Sequence, residues 1–175
     1  MVLTKEKASV EDYMNLPEGG KYQLIDGEII EMASPIEKHQ DLSGEIFAKL
    51  FLHTKKNILG KVFSAPFDVH FDEENIFQPD ILFVSNERIE IIKKWIYGAP
   101  DVVIEILSPT TAYFDSHRKF HTYEKYGVKE YFLVNPEDME VVGYKPDANG
   151  KYKEYFREYN LLKSEAMDCE ISLND

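Results

Sequence analysis

Two apolar runs, each carrying an acid that packing does not need, constrain this chain more than any other feature. The first is Gln78-Pro79-Asp80-Ile81-Leu82-Phe83-Val84, and the second is Asp101-Val102-Val103-Ile104-Glu105-Ile106-Leu107-Ser108. If both are strands, side chains alternate faces, so Asp80 shares a face with Leu82 and Val84, and Glu105 with Val103 and Leu107. Both acids then point with core residues. A buried carboxylate without a partner is costly, so each requires a cation, a lysine or backbone donors.

The remaining chain reads as short elements around these runs. Residues 9–16 predict a short helix capped by Ser9, with Glu11 and Asp12 in its first turn, ended by Pro17 and Gly19-Gly20. Asp26-Gly27 is a type I′ turn signal, predicting a hairpin from Tyr22 to Met32 with Glu28 just past the turn. Ser34-Pro35-Ile36-Glu37 has the form of a capping box and predicts a helix to about Lys55. On that helix Leu42, Ile46, Phe47 and Leu50 fall in one arc, with His39 and Ser43 inside it. His39 is thus either a satisfied core histidine or a ligand.

Gly60–Phe71 and Ile76–Val84 predict the arms of a second hairpin about the turn Asp72 to Asn75, with Asp68 expected on the same side as Asp80. Residues 85–98 predict a short helix or a turn. After the Glu105 strand, a helix is predicted from about Tyr113 to Tyr126, closed by Gly127. Its apolar arc of Phe120, Tyr123 and Tyr126 includes Lys119 at the edge, with Asp115 adjacent. Glu130–Val134 is another strand, residues 141–145 and 151–156 a last hairpin, and the tail 161–175 has no strong pattern.

Composition removes several function classes. At 175 residues, with 43% hydrophobic and 13% aromatic content, the chain suits one folded domain, 1–175, and not a disordered acidic segment. No apolar run approaches the roughly 20 residues of a spanning helix, and Met1 to Val10 lacks the apolar stretch of a secretory signal, so a cytoplasmic location is the default. The single cysteine, Cys169, cannot form an internal disulfide or a thiolate metal cluster. A net charge of −12 confines any nucleic-acid footprint to local clusters such as Lys93-Lys94 or Arg118-Lys119.

Glycine-rich nucleotide loops are absent, and Ser108 and Cys169 stand in no nucleophile context. His117-x3-His121 has zinc-binding spacing but projects to the solvent side of its helix. What remains is two carboxylates on neighbouring strands and a lysine on the next helix. Hard oxygen ligands with room for water suit magnesium, which takes one or two carboxylates plus a substrate phosphate. Lys119, if it reaches the acids, could orient a water or neutralise a phosphoryl transition state.

The order Tyr22-x-Leu24-Ile25-Asp26-Gly27-Glu28, His39-Gln40, Gln78-Pro79-Asp80, Pro100-Asp101-x3-Glu105-x-Leu107-Ser108-Pro109, Asp115-x3-Lys119 and Tyr126-Gly127-Val128-x-Glu130-Tyr131 resembles the bacterial Uma-type endonucleases, within the PD-(D/E)XK restriction-endonuclease-like superfamily. The resemblance spans roughly residues 10 to 160. It implies an α/β (α+β) fold with an αβββαβ core, a central mixed sheet flanked by helices, and extra N- and C-terminal β-hairpins. Pro79-Asp80 matches the PD element and Glu105 the second acid, but Leu107 stands where the standard motif has lysine. Lys119 is the candidate replacement, since some superfamily members carry the lysine on the following helix.

The resemblance further implies His39, then Asp68 and Glu28, as site members. It implies metal ligation by Asp80, Glu105 and the Ile106 carbonyl, Mg2+ (or Mn2+) as cofactor, double-stranded DNA as substrate, a 5′-phosphate product and a homodimer. Two rivals stay open. One is an inactive module of the same fold that binds another protein; the other is a hydrolase of RNA or nucleotides using the same ligands.

Overall fold

The computed structural model describes residues 7–17 and 21–173. In chain order the elements are α1 (Val10–Met14), β1 (Tyr22–Ile25), β2 (Glu28–Glu31), α2 (Glu37–Asn57), β3 (Gly60–Ser64), β4 (Val69–Asp72), β5 (Asn75–Phe77) and β6 (Ile81–Ser85). After a 3-10 turn (Asn86–Ile91) come β7 (Ile96–Tyr97), β8 (Val102–Ile106), a π-helical turn (Phe114–Lys119), α3 (Phe120–Tyr126) and β9 (Glu130–Val134). The chain finishes with β10 (Glu140–Pro146), β11 (Tyr152–Tyr159), β12 (Leu161–Ser164) and β13 (Cys169–Ser172).

The core has the αβββαβ order: α2, then β3, β6 and β8, then α3 and β9. These strands sit in a six-stranded mixed sheet of order β11-β10-β9-β8-β6-β3. Its one parallel pair, β8 with β9, is joined by the helical crossover that carries Lys119. Parallel pairing needs such a crossover, and helices on it cover the sheet.

Both faces of this sheet are buried, which explains why its strands read as unbroken apolar runs. Ile81, Phe83, Val102, Ile104, Ile106, Phe132 and Val134 pack on one face against Leu42, Ile46 and Leu50 of α2. Leu82, Val84, Val103, Tyr131 and Leu133 pack on the other with Tyr123 of α3. The strict alternation places Glu105 on the α3 side. Across that layer stands a five-stranded sheet of order β2-β1-β5-β4-β7.

Four expectations need correction. The predicted second hairpin is one antiparallel ribbon broken into two sheets: Gly60–Ser64 pairs with Ile81–Ser85, whereas Val69–Asp72 pairs with Asn75–Phe77. Residues 65–68 and 78–80 make the break, so Asp80 lies in it, just before β6. The capping box does not form, because the helix begins at Glu37 with Ile36 as a cap that offers no side-chain bond. The stretch 85–98, read as a short helix or a turn, does hold the 3-10 turn Asn86–Ile91 but adds a two-residue strand, β7, that joins the second sheet. The tail without pattern is a hairpin, β12–β13, whose Leu162 and Ile171 extend the first core face.

Elsewhere the chemistry is as the residues imply. Ser9 and Asp12 form a reciprocal cap on α1, and Asp26 and Gly27 take positive φ in the first turn. The Gly19-Gly20 stop lies outside the described residues. No helix among the described residues is long and apolar enough to cross a membrane, a statement that leaves strands aside.

Candidate active site

The break in the ribbon brings Asp80 against the C-terminal half of β8. Its Oδ2 accepts a hydrogen bond from the Ile106 amide at 2.8 Å, and its own amide donates to Glu105 Oε2 at 3.3 Å. The Asp80 carbonyl accepts from the Ala65 amide at 3.0 Å, which ties the two sides of the break together. Asp80 and Glu105 therefore converge on one place.

Glu105 is 2% exposed. Its Oε1 accepts from Lys119 Nζ at 3.0 Å and from the Tyr123 hydroxyl at 2.6 Å. Lys119, also 2% exposed, stands equally 3.0 Å from Asp115 Oδ1, one helical turn before it. The π-helical turn positions this pair, and the Tyr131 hydroxyl fastens it from the sheet by donating to the Asp115 carbonyl at 2.9 Å. Single π turns inside helices are frequent at functional sites.

The electrostatics follow from burial and charge count. Burial pushes the Glu105 carboxyl up to about 8, against the pull of Lys119 and helped by the charges of Asp115 and Asp80. Burial works against the Lys119 ammonium too, but Asp115 and Glu105 outweigh it and hold that group above the ordinary lysine range. Lys119 is thus a fixed cation. His39 approaches from α2, its Nε2 3.2 Å from Asp80 Oδ2. The Asp80 hydrogen bond raises the imidazole above its ordinary value against the effect of burial, with the Asp80 and Glu105 charges and the Ile106 backbone adding.

Three acids thus gather about one lysine and one histidine. No group of three or more His, Cys, Asp or Glu side chains poised to hold a metal exists among the described residues. The donor set nevertheless suits a hard divalent ion. Oε1 of Glu105 is taken by two donors, while Oε2 accepts only the long bond from the Asp80 amide, and Asp80 Oδ1 has no hydrogen-bond partner among the described residues. Two carboxylate oxygens with spare lone pairs, in a surplus of negative charge, are what magnesium takes beside water and phosphate.

A cleft of about 490 Å³ opens over these groups. Asp80, Glu105, Asp115, Lys119 and His39 all line it. Its walls come from α2, the extended segment 32–36, the ribbon break and the loop 108–111. The segment 33–36 that fails to wind into a capping box serves as a wall here.

Of the seven residues expected at the site, the structure brings together Asp80, Glu105, Lys119, His39 and the Ile106 backbone, and leaves two outside. Asp68 is one step removed: its Oδ1 accepts from the Tyr13 hydroxyl at 3.1 Å and from Gln78 Nε2 at 2.8 Å, and Gln78 lines the cleft. Glu28 instead pairs with Arg118 Nη1 at 3.0 Å, while Arg118 Nε pairs with Asp26 and Nη2 donates to the Ile25 carbonyl at 2.6 Å. That fork pins the first hairpin onto the helix and is exposed at Glu28. Two further groups belong to the site: Asp115 and Tyr123 lie four residues either side of Lys119, and the apolar arc of the helix, with Asp115 beside it, is the sequence signal that points to them.

Comparison with known proteins gives a family and a fold. A family model for Uma2, described as a putative restriction endonuclease, matches residues 10–174. A crystal structure of a putative nuclease belonging to DUF820 from Anabaena variabilis ATCC 29413 superimposes with a TM-score of 0.77 at 22% identity, covering 94% of each chain. At that identity the likeness concerns the fold. No curated protein matches.

Proposed function

This chain belongs to the Uma2 family, described as a putative restriction endonuclease, and we propose that it is a metal-dependent DNA endonuclease hydrolysing phosphodiester bonds in the cleft. The observation that carries the reading is the reach of Lys119. Its ammonium comes from the crossover helix to within 3.0 Å of Glu105, supplying the cation that Leu107 cannot.

Asp80 and Glu105 would hold Mg2+, or Mn2+ in its place, with the Ile106 carbonyl as a third oxygen. Such an ion, when bound, supplies Lewis-acid polarisation of a phosphoryl oxygen and a water of lowered pKa. Lys119 keeps its proton, so it acts by charge and hydrogen-bond donation where negative charge develops on phosphorus, and not as a base. His39, its imidazole raised above the ordinary value chiefly by the hydrogen bond to Asp80, stands at the cleft where a backbone phosphate would lie. Departure of the 3′ oxygen leaves a 5′ phosphate. Cutting both strands of a duplex often uses two such sites, which a homodimer in the cytoplasm would provide.

Purified protein with Mg2+ or Mn2+ should nick or cut supercoiled plasmid, and Asp80→Asn, Glu105→Gln and Lys119→Ala should each lose that activity. Cleavage that survives Asp80→Asn refutes the assignment. Leu107 favours a second reading, a non-catalytic module that binds another protein, because an apolar side chain packed into the core fills the motif-lysine position. Convergence of both carboxylates on one cleft counts against that module. RNA and nucleotides assayed beside the plasmid separate the remaining hydrolase readings.

A further inference from the structure

Resting on the nuclease reading above, the geometry points to a narrower substrate: we propose that the cleft takes one unpaired nucleotide of a DNA single strand, and that intact duplex is a poor substrate. The floor of the cleft is the first reason. Glu105 and Lys119 are each 2% exposed, at the bottom of about 490 Å³, a volume in the range of sites that enclose one small ligand. A phosphate fixed in a rigid duplex cannot descend to them, whereas a nucleotide freed from pairing can.

Charge is the second reason. Proteins that hold a duplex neutralise roughly 6–10 phosphates with lysine and arginine. Among the described residues, Lys21 is the only lysine or arginine lining this cleft besides Lys119, which is committed to Glu105 and Asp115. One exposed lysine suits one or two phosphates of a flexible strand.

Gly44 is the third reason. It lies inside α2, exposed to solvent where the helix lines the cleft, and a Cβ built there meets no atom within 4 Å. Glycine in a helix interior weakens the helix, so the gap is unfavourable for folding alone. No protein atom needs it. It leaves open space beside Phe47, a half-buried residue that lines the same cleft one turn on with its ring stacked on Phe51, and Gln40 and the Gln78 amide oxygen add polar groups able to read a base edge. An aromatic face, an open slot and amide donors and acceptors form a seat for a base, with its phosphate toward Asp80 and His39.

The test compares a fluorescein-labelled single-stranded oligonucleotide with the same strand annealed to its complement, in cleavage with Mg2+ or Mn2+ and in metal-free anisotropy. Wild type, Gly44→Ala and Gly44→Leu are assayed together with their melting temperatures. The single strand should be cut roughly tenfold or more faster than the duplex, and Gly44→Leu should weaken its binding and raise KM by about tenfold, the loss of one base stack. Both Gly44 variants should melt no lower than wild type, since alanine and leucine are better helix formers. Duplex cut as fast as single strand, or single-strand affinity indifferent to Gly44→Leu, overturns the inference while leaving the nuclease reading intact. If neither substrate nor supercoiled plasmid is cut, the nuclease reading fails, and anisotropy alone decides the occupant: single-strand binding that Gly44→Leu weakens upholds it, and its absence overturns it.

Discussion

Replacing Glu105 with glutamine tests the electrostatic logic of the site with almost no change in packing volume. Burial is the main cause that lifts this carboxyl from 4.5 to about 8 in the folded chain. Between those values the folded state holds a proton that the unfolded state has released. The stability associated with this group is therefore complete below pH 4.5 and is lost as pH climbs to about 8. At about 1.4 kcal/mol per unit the loss has a ceiling of about 5 kcal/mol, a net figure in which the opposing pull of Lys119 is already contained. Glu105→Gln abolishes the titration. Urea unfolding across a pH series should show variant and wild type close together near the acid end, with the variant gaining steadily toward about pH 8. Cleavage should be lost at every pH, so the substitution trades function for stability. Magnesium should raise the melting temperature of wild type more at alkaline than at acid pH, because ion and proton compete for one carboxylate, and should leave the variant unmoved. A stability difference that stays constant with pH refutes the assignment of the buried charge to Glu105.

Lys119→Met should cost about 3–5 kcal/mol in urea unfolding, the usual penalty for orphaning a buried charge, and adding Asp115→Asn should recover part of it. In Asp80→Asn protein the His39 imidazole, followed by NMR, should titrate at lower pH than in wild type, since Asp80 is the largest cause of its upward displacement; an unchanged titration would remove His39 from the site. Glu28→Gln should leave cleavage unaltered and change stability by less than about 1 kcal/mol, as expected of an exposed ion pair. A loss of cleavage there would mean that the hairpin fork does more than fasten two elements.

Much of this fold was legible because its strands obey a short-range rule. Ile81 to Val84 and Val102 to Leu107 alternate between two buried faces, and the same period puts Glu105 on the α3 side without reference to any other residue. Asp26-Gly27 and Gly127 were equally readable, since positive φ selects their chemistry locally. What failed depends on contacts distant in sequence. Ser34 to Glu37 has the pattern of a capping box, yet Ser34 to Ile36 stay outside the helix as a wall of the cleft. The resemblance implies Asp68 and Glu28 as site members, but Tyr13 and Gln78 hold the first and Arg118 the second, and Tyr13 and Arg118 are distant in the chain from the acids they bind. The break at 65–68 and 78–80 was hidden for a similar reason: both halves of the ribbon pair antiparallel, so the strand pattern continues across it.

That break and the displaced lysine are two parts of one arrangement. On β8 the residue two beyond Glu105 shares its face, which is where a motif lysine would reach the acids; Leu107 gives that position to the apolar layer instead. The cation must then arrive from an element that faces the same side, and the crossover helix between two parallel strands is obliged to lie there. Moving the lysine to a helix brings a further acid with it. Asp115, four residues earlier, occupies the neighbouring position on the same face, so Lys119 is shared between two carboxylates and its charge no longer balances Glu105 alone. The site is consequently richer in negative charge than a strand-borne lysine would leave it, and Asp80, delivered by the break to the Ile106 amide, adds to the surplus. On the nuclease reading proposed above, a divalent cation is the simplest group that would resolve such an excess, by displacing the proton that burial holds on Glu105.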